Sequence, residues 1–504
     1  MKETGVVSSG VRPSLQSETY VPQVMPRVLG SVGFLSLCVI NVFWPSNVTL
    51  ITGGGIAALS YWVICTLSFF VPCCVVTAQL GALLPHTGSI YNWTYHALGR
   101  RWSFFVGVCA WLPNILSLIN AVVAFISVLQ VLNPSWLVPA WQQGLVVMAL
   151  LLFSSFLAAK RLQLIQNLMN VAVFGMLLST LLMGLATVMW WRDGHTLATS
   201  FEGVSSWAIS GEKNFLFGSV NLALLGTYMP LAMSGEVKQP QSMTRSLCWG
   251  FVVTVAGYLV MTVALLVIQG AATAQQTFNP MLLLIATGDR VFGKLVGNII
   301  AIALMLYFLL IPVVVQAVSS RFLYAAAVDQ QISSKFAVLN RHRAPKNAII
   351  LQTILALLFA GLIFFLAPLL TPLGKPEELP ALFSSIIGAS VVLIWMVSFF
   401  FLFVDLAVLL RVRGRKQYWL LPPPLLVVCV VSGALMCLVT VISTLWFPWL
   451  SSLSQIVWFS SVGLLAAVGI TCCALGGMFI VSEARWESYQ EEMYIRTSLH
   501  ERRN

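Results

Sequence analysis

The feature of this sequence that most constrains its fold is a series of long apolar runs. Many of them exceed the roughly 20 residues that cross the hydrocarbon core of a bilayer. Of the 504 residues, 59% are hydrophobic and only 9% are charged, and the mean hydropathy is +0.91. A soluble chain of this length needs more charge to cover its surface. The sequence therefore predicts an all-α integral membrane protein of the multi-pass type.

Breaks between the apolar runs divide the chain into twelve predicted membrane-spanning helices, which we call spans 1 to 12. Their predicted ranges are about 28–50, 54–83, 102–131, 139–159, 164–190, 215–234, 247–269, 293–328, 347–369, 381–410, 420–446 and 454–481. The segment before span 1 lacks the basic-then-apolar pattern of a cleavable signal peptide, so we expect a polar tail there.

The basic residues predict the orientation of the spans. If the N-terminus is cytosolic, 22 of the 27 Lys and Arg residues fall on the cytosolic side, as the positive-inside rule requires. We therefore expect a plasma-membrane protein with both termini in the cytosol and anionic lipid head groups beside the basic loops. The net charge of +11 does not indicate nucleic acid, because the sequence has no basic face with interleaved aromatic residues.

Two of the predicted spans carry the same interruption. Span 1 contains NVFWPS, residues 41–46, and span 6 contains GTYMPL, residues 226–231; each has a proline two residues after an aromatic. Proline removes a backbone hydrogen bond. In hydrocarbon an unpaired backbone group costs several kcal/mol unless protein, water or ligand satisfies it. We therefore expect spans 1 and 6 to be discontinuous helices.

The two interruptions lie 185 positions apart, about the length of five spans with their loops. This spacing predicts two five-span repeats of opposite membrane orientation, followed by two extra helices. Matching breaks in inverted repeats indicate the substrate site of a transporter. The predicted divisions are a cytosolic tail (1–26), a first repeat (27–200), a second repeat (201–416), spans 11 and 12 (417–481) and a cytosolic tail (482–504).

The breaks and the charges together favour a small zwitterionic substrate. The N-terminus of a half-helix presents free N–H groups that suit a carboxylate, and free carbonyls suit an ammonium group or a small cation. Of the acidic residues between about 30 and 480, only Glu236 and Asp405 come near a span, each towards its cytosolic end. A site for a polycation is expected to carry acids at mid-depth.

Three motifs resemble the amino acid–polyamine–organocation (APC) superfamily of permeases. GALLPHTGSIYNWTYHALG (81–99) resembles the end of the family's second span, and SGEVKQP (234–240) is close to the family's Gly-Glu-Val-Lys-Asn-Pro after span 6. The segment from 319 to 349 is similar to the family's connection after span 8, ending in Pro-x-Asn-Ala. The resemblance covers spans 1–10, whereas spans 11 and 12 agree only in number and hydropathy.

The resemblance and the repeat symmetry imply the substrate contacts. Many relatives break span 1 at a Gly-Ser-Gly-like stretch, but VINVFWPSN has no glycine, so the break depends on Pro45 and on the amide of Asn41. In span 6, Gly226 matches the family's glycine. The alternative role of the polar side chains is helix packing. The predicted substrate contacts are Asn41, Val42, Phe43, Trp44, Asn221, Gly226, Thr227 and Tyr228.

Further residues are predicted for the gate and for ion coupling. Glu236, with Lys238, is expected at a cytosolic gate, and Asn114 and Tyr307 either line the pathway or form interhelical hydrogen bonds. Span 5 lacks the lysine that replaces sodium in some proton-coupled relatives. Sodium-coupled members use paired hydroxyls in span 8, which makes Ser319 and Ser320 weak sodium candidates, with helix-end hydrogen bonding as the alternative. Uniport, exchange, proton symport and sodium symport stay open, and no cofactor is predicted.

The function predicted is secondary active transport of amino acids or closely related zwitterions. Spans 1, 2, 6 and 7 are expected to move against a scaffold of spans 3, 4, 8 and 9. A choline- or polyamine-type cation permease is disfavoured by the lack of deep acids, and a transport-inactive sensor is a further alternative. We do not expect an enzyme, because the five histidines are scattered and no His/Asp/Glu cluster accompanies them.

Overall fold

The computed structural model describes residues 13–277, 279–366, 368, 379–413, 419–450 and 453–476. It is 81% helical, and β pairing within the described residues is limited to two isolated bridges, Leu29 with Val237 and Leu339 with Pro345. The all-α prediction is confirmed. The predicted C-terminal tail and the first 12 residues of the N-terminal tail lie outside the described residues.

The helices are numbered in chain order. The first eleven are α1 (Gln16–Val24), α2 (Ser31–Val42), α3 (Ser46–Thr52), α4 (Ala57–Cys65), α5 (Val71–Leu83), α6 (Ile90–Leu98), α7 (Arg100–Leu132), α8 (Ala140–Ala158), α9 (Leu162–Arg192), α10 (Val204–Trp207) and α11 (Phe215–Ala223). They are followed by α12 (Met243–Ile268), α13 (Ala271–Gln276), α14 (Pro280–Phe292), α15 (Lys294–Val328), α16 (Lys346–Gly361), α17 (Leu379–Arg413), α18 (Pro423–Trp446) and α19 (Gln455–Gly476).

Ten helical segments of the described chain are long and apolar enough to cross a membrane, and they coincide with predicted spans 2–5 and 7–12. One of them, in span 2, runs from α4 to α5 through a π-helical turn at Thr66–Phe70. An eleventh is formed by α2 and α3 of span 1, which meet at a bend of 45°. Predicted span 6 is not a helix of spanning length, because α11 has 9 residues and the 3-10 helix Met229–Glu236 has 8.

One end of the bundle gathers the N-terminal segment and the connections after spans 2, 4, 6 and 8; we call this end the N-terminal face. The Ser17 amide and hydroxyl each donate to the carboxylate of Asp329 at 2.7 Å. The Lys238 amide donates to Leu29 O at 2.9 Å. Arg100, after span 2, donates to Asp329 O at 2.8 Å, and Asn340 Nδ2 donates to Ala159 O, at the end of span 4, at 2.7 Å. The predicted cytosolic connections after spans 2, 4, 6 and 8 therefore lie on one side.

The other end of the bundle, which we call the opposite face, brings the connection after span 7 against the connection after span 1 and the end of span 3. Gln275 of α13 donates to Gly53 O at 2.7 Å, and Asn279 donates to Ser127 O at 2.8 Å. The helices α13 and α14 occupy a region between spans 7 and 8 that the sequence analysis treated as a connection. Between the two ends, α7 and α15 pack closely, because Gly107 has no side chain and the Phe322 ring fills the place of a Cβ.

Candidate functional site

Span 1 is interrupted at residues 43–45. Helix α2 ends at Val42, and Phe43 leaves helical geometry with φ −85° and ψ 101°. Pro45 precedes α3 and has no N–H to donate. Backbone groups at residues 43–45 are therefore not satisfied by helical hydrogen bonds.

Span 6 is interrupted at residues 224–228, between α11 and the 3-10 helix. Gly226 adopts φ +100°, a conformation that costs other L-residues about 1–2 kcal/mol. A Cβ at Gly226 would lie 2.6 Å from the backbone oxygen of Asn41. The glycine thus allows the two interrupted segments to touch.

The hydroxyl of Tyr258, in span 7, connects the two breaks. It accepts a hydrogen bond from the Trp44 amide at 2.7 Å. It also lies 2.8 Å from Val42 O and 2.9 Å from Ala223 O, so its one proton serves either carbonyl. The ring is fully buried and packs edge-on against Phe43 at 4.8 Å.

A second tyrosine completes the break in span 1. The Tyr307 hydroxyl of span 8 donates to Phe43 O at 2.7 Å and lies 3.5 Å from Val39 O. The two tyrosines thus occupy the carbonyls that the sequence analysis left free for an ammonium group or a cation. Tyr307 lies at the break itself and does not line either cavity described below.

Other polar groups at the breaks have no partner within the described chain. The backbone N–H groups of Gly226, Thr227 and Tyr228 donate to no acceptor there. Asn41 donates through Nδ2 to Leu37 O at 2.7 Å, which leaves its buried Oδ1 without a partner. The N–H groups suit a carboxylate, and the amide oxygen suits an ammonium group.

A cavity that, with its open mouth included, encloses about 430 Å³ of empty space lies beside the breaks; we call it the larger cavity. Asn41, Trp44 and Leu225 line it from spans 1 and 6. Its opposite wall includes Val391 and Trp395 of α17. None of its lining residues is charged.

A smaller cavity, which with its open mouth included encloses about 330 Å³ of empty space, lies nearer the N-terminal face, where residues 88–90 line it. Asn114 of span 3 and Tyr228 of span 6 also line it. The indole of Trp395, in the wall of the larger cavity, donates to Ala110 O at 3.0 Å, and Ala110 lines the smaller one. The two cavities therefore lie in series along the bundle, divided at Trp395 and the 225–228 turn.

Two predicted substrate contacts, Asn221 and Thr227, line neither cavity. The Asn221 amide donates to Thr440 Oγ1 of α18 at 2.5 Å, and its residue lines neither cavity. The Thr227 hydroxyl lies 3.5 Å from the Thr77 hydroxyl of span 2. Val42 and Phe43 are fully buried and take part through their carbonyls. Asn114 keeps a buried Oδ1 without a partner, as Asn41 does.

Glu236 pairs with Arg321 of span 8, whereas the sequence analysis grouped it with Lys238. Arg321 Nη2 lies 3.0 Å from Glu236 Oε1, and both side chains are buried. The Glu236 carbonyl accepts hydrogen bonds from the amides of Val28 and Leu29 at 2.9 Å. The end of span 6 is therefore attached to both span 8 and the N-terminal segment.

The weak sodium candidates in span 8 use their hydroxyls within the helix. Ser319 donates to Val315 O at 2.6 Å, and Ser320 donates to Ala317 O at 2.8 Å. Both bonds lie inside α15, which continues to Val328, whereas the sequence analysis gave bonding at a helix end as the alternative. In the part of the chain that the structure describes, no cluster of three or more His, Cys, Asp or Glu residues could hold a metal ion.

Titratable groups on the N-terminal face hold α1 in place. Glu18 accepts a hydrogen bond from His96 at 2.7 Å and lies 3.9 Å from His86. Burial raises the pKa of Glu18, but the hydrogen bond and charge of His96 and the charge of His86 lower it by more, so the net shift is downward. Burial raises the pKa of Asp329, and its hydrogen bonds from Ser17 oppose that shift only in part.

Tyr258 and Trp395 are site residues that the sequence analysis missed. Each carries one hydrogen-bond donor on an aromatic ring within an otherwise apolar span, and such a group needs a partner when it is buried. An aromatic hydrogen-bond donor within an apolar span was therefore the one sequence signal that could have indicated these residues. Neither residue adjoins a proline or a motif in the sequence, so nothing local indicated which backbone groups they would meet.

Comparison with known proteins places the chain among membrane transporters. Residues 24–472 match the family described as amino acid permease. Over 198 residues the chain is 26% identical to an uncharacterized transporter of Legionella pneumophila; this match covers 37% of the chain and 41% of the relative. The chain spans less than half the length of that curated relative. The family match covers most of the sequence, so the chain belongs to the amino acid permease family of the APC superfamily, as its motifs predicted.

Proposed function

We propose that this permease is a secondary active transporter that carries amino acids or closely related zwitterions across the plasma membrane by alternating access. Its architecture would be twelve spans, in which two inverted five-span repeats with discontinuous spans 1 and 6 precede two further helices. Both termini would lie in the cytosol, which makes the N-terminal face the cytosolic one.

The observation that carries the proposal is the contact between the two breaks beside the larger cavity. Three N–H groups at residues 226–228 are free to bind a carboxylate, and the unpartnered Oδ1 of Asn41 is free to accept from an ammonium group. The distance between the segments is set by Gly226, whose Cα packs on the Asn41 carbonyl. A zwitterion supplies both missing partners, whereas choline and polyamines supply no carboxylate.

Alternating access gives each cavity a role. The larger cavity would admit substrate from the opposite face, and the smaller cavity would release it at the N-terminal face. Opening towards the N-terminal face requires spans 1 and 6 to separate from span 8. The Glu236–Arg321 pair joins spans 6 and 8, and the Tyr307–Phe43 hydrogen bond joins spans 8 and 1. Both contacts would break in that step.

The test is uptake of labelled amino acids into liposomes that contain the purified protein, with protein-free liposomes as the control. Imposed proton and sodium gradients, and preloading with unlabelled amino acid, distinguish symport from exchange and uniport. Uptake of at least one amino acid supports the proposal. Uptake of choline or a polyamine instead would favour the cation-permease alternative. If no amino acid is taken up but one raises the temperature of thermal unfolding, the protein is a sensor and the proposal fails.

A further inference from the structure

We infer that the substrate of the larger cavity is a neutral amino acid with a bulky apolar side chain. This inference rests on the proposed function, because it concerns the side chain of the zwitterion that the two breaks would bind. It follows from how polar and apolar groups are distributed around the cavity.

The polar end of the larger cavity lies at the breaks. Asn41 and Asn47 belong to span 1, on either side of residues 43–45, and Leu225 directly precedes the free N–H groups of span 6. The hydroxyl of Ser117, across the cavity, already donates to Pro113 O at 3.0 Å. Residues 226–228 do not themselves line the larger cavity, but they adjoin it at Leu225, so the groups that suit an α-carboxylate and an α-ammonium lie at one end.

Apart from Asn120 of span 3, the remaining wall is apolar. Ile387, Gly388, Val391 and Trp395 follow one another at helical spacing on a single face of α17. Leu116 and Leu222 complete the wall from spans 3 and 6. The Trp395 indole N–H is bonded to Ala110 O, so that ring offers only apolar surface to a ligand. A substrate side chain that leaves the breaks meets aliphatic and aromatic carbon.

A charged side chain has no partner in this cavity. The ionised groups in the neighbouring spans are already engaged: Glu236 with Arg321, and Asp405 with the Thr94 hydroxyl at 2.7 Å. None of these residues lines the larger cavity. Burying an ion without a partner costs far more than burying a neutral polar group. Lysine, arginine, aspartate and glutamate are therefore excluded as good substrates.

A small side chain is a poor fit for a different reason. Each buried methylene contributes about 0.8 kcal/mol to binding in an apolar site. Glycine and alanine leave the wall formed by α17 without contacts. Leucine, isoleucine, phenylalanine and methionine make those contacts, and we expect them to be the preferred substrates.

The first experiment is competition against uptake of a labelled substrate in proteoliposomes, using each of the common amino acids in excess. Inhibition by leucine, isoleucine, phenylalanine and methionine that exceeds inhibition by glycine, alanine and the four charged amino acids supports the inference. A charged or small amino acid that competes better than leucine overturns it, while the proposed function stands. If no amino acid is taken up or competes, the proposed function fails first.

The second experiment changes the wall. Val391→Ala enlarges the cavity by two methyl groups, so the preference for phenylalanine over valine should rise about tenfold or more, since one methylene in an apolar pocket changes specificity about 10–200-fold. Val397→Ala is the matched control, because Val397 lies on α17 but lines neither cavity. Ile387→Ala tests the same wall independently if Val391→Ala does not fold. Equal preferences in the wall variants and the control would overturn the inference.

Discussion

Replacing Tyr258 with phenylalanine tests whether one hydroxyl holds both breaks together. Tyr258→Phe removes only the oxygen and its proton, so the ring contacts with Phe43 and Trp62 remain. The Trp44 amide loses its acceptor, and Val42 O and Ala223 O lose the donor that they share. Two hydrogen bonds are therefore lost at any one time.

The expected cost follows from those two bonds. Each buried group that is left without a partner costs about 1–3 kcal/mol, so Tyr258→Phe should lower the free energy of unfolding by about 2–6 kcal/mol. Tyr307→Phe removes the single bond to Phe43 O and should cost about 1–3 kcal/mol. Tyr20→Phe is the control, because the Tyr20 side chain is 50% exposed and a surface change is usually within about 0.5 kcal/mol.

The assay is unfolding of the three variants by dodecyl sulfate in mixed micelles, followed by circular dichroism, with amino acid uptake measured on the same preparations. The order of destabilisation should be Tyr258→Phe, then Tyr307→Phe, then Tyr20→Phe. A Tyr258→Phe protein that unfolds at the same detergent fraction as Tyr20→Phe would refute the idea that this hydroxyl satisfies the broken backbone. The same result would mean that water or lipid supplies those hydrogen bonds.

Three further predictions concern the break in span 6, the buried ion pair and the N-terminal segment. Gly226→Ala should abolish uptake, because the new Cβ would lie 2.6 Å from Asn41 O. The control is Gly194→Ala, where φ is also positive but the space is free; it should retain uptake and lower the free energy of unfolding by about 1–2 kcal/mol. Equal uptake by both variants would contradict the close contact of the breaks. Arg321→Met should destabilise the protein by about 3–5 kcal/mol by leaving Glu236 buried and unpaired, and adding Glu236→Leu should restore part of the loss; no recovery in the double variant would show that the charge is not the cause. The pKa of Glu18 is lowered when α1 is docked. Its carboxylate therefore stabilises the docked α1 at pH values above the ordinary carboxyl pKa, and this contribution is lost as the pH falls through the lowered pKa. Amide exchange of α1 in Glu18→Gln should therefore exceed that of the wild type at neutral pH and approach it once the pH falls below the lowered pKa of Glu18. The raised pKa of Asp329 acts in the opposite direction in both proteins. A difference that is independent of pH would contradict the assignment.

The sequence predicted those features that depend on local pattern. Long apolar runs gave the spans, because a bilayer requires them, and the two prolines indicated where helical hydrogen bonding fails. The positions of α2, α3 and α11 follow from these rules. Gly226 was identified by its place in the family motif, and its positive φ gives the physical reason for a glycine there.

The partners of the polar side chains were beyond the reach of such patterns. Glu236 meets Arg321, 85 positions away, although Lys238 was the nearer cation in the sequence. Asn221 turns towards Thr440, 219 positions away, because the 3.6-residue period places it on the face of α11 that packs against α18. Such contacts depend on how distant helices pack, and no local spacing encodes that.

The hydrogen bonds at the site fall into two groups when they are sorted by the proposed motion. Tyr258 in span 7 bonds to spans 1 and 6, and Thr77 of span 2 lies against Thr227 of span 6, so these contacts remain within the set that would move. The contacts of Tyr307 and Arg321 cross from span 8 to spans 1 and 6. A transporter needs the first group to stay intact, because it maintains the shape of the broken backbone while both sides of the membrane are visited. It needs the second group to break and re-form. Loss of Tyr258 should therefore impair substrate binding in every state, whereas loss of the Arg321 pair should shift the balance between states that are open to the two faces.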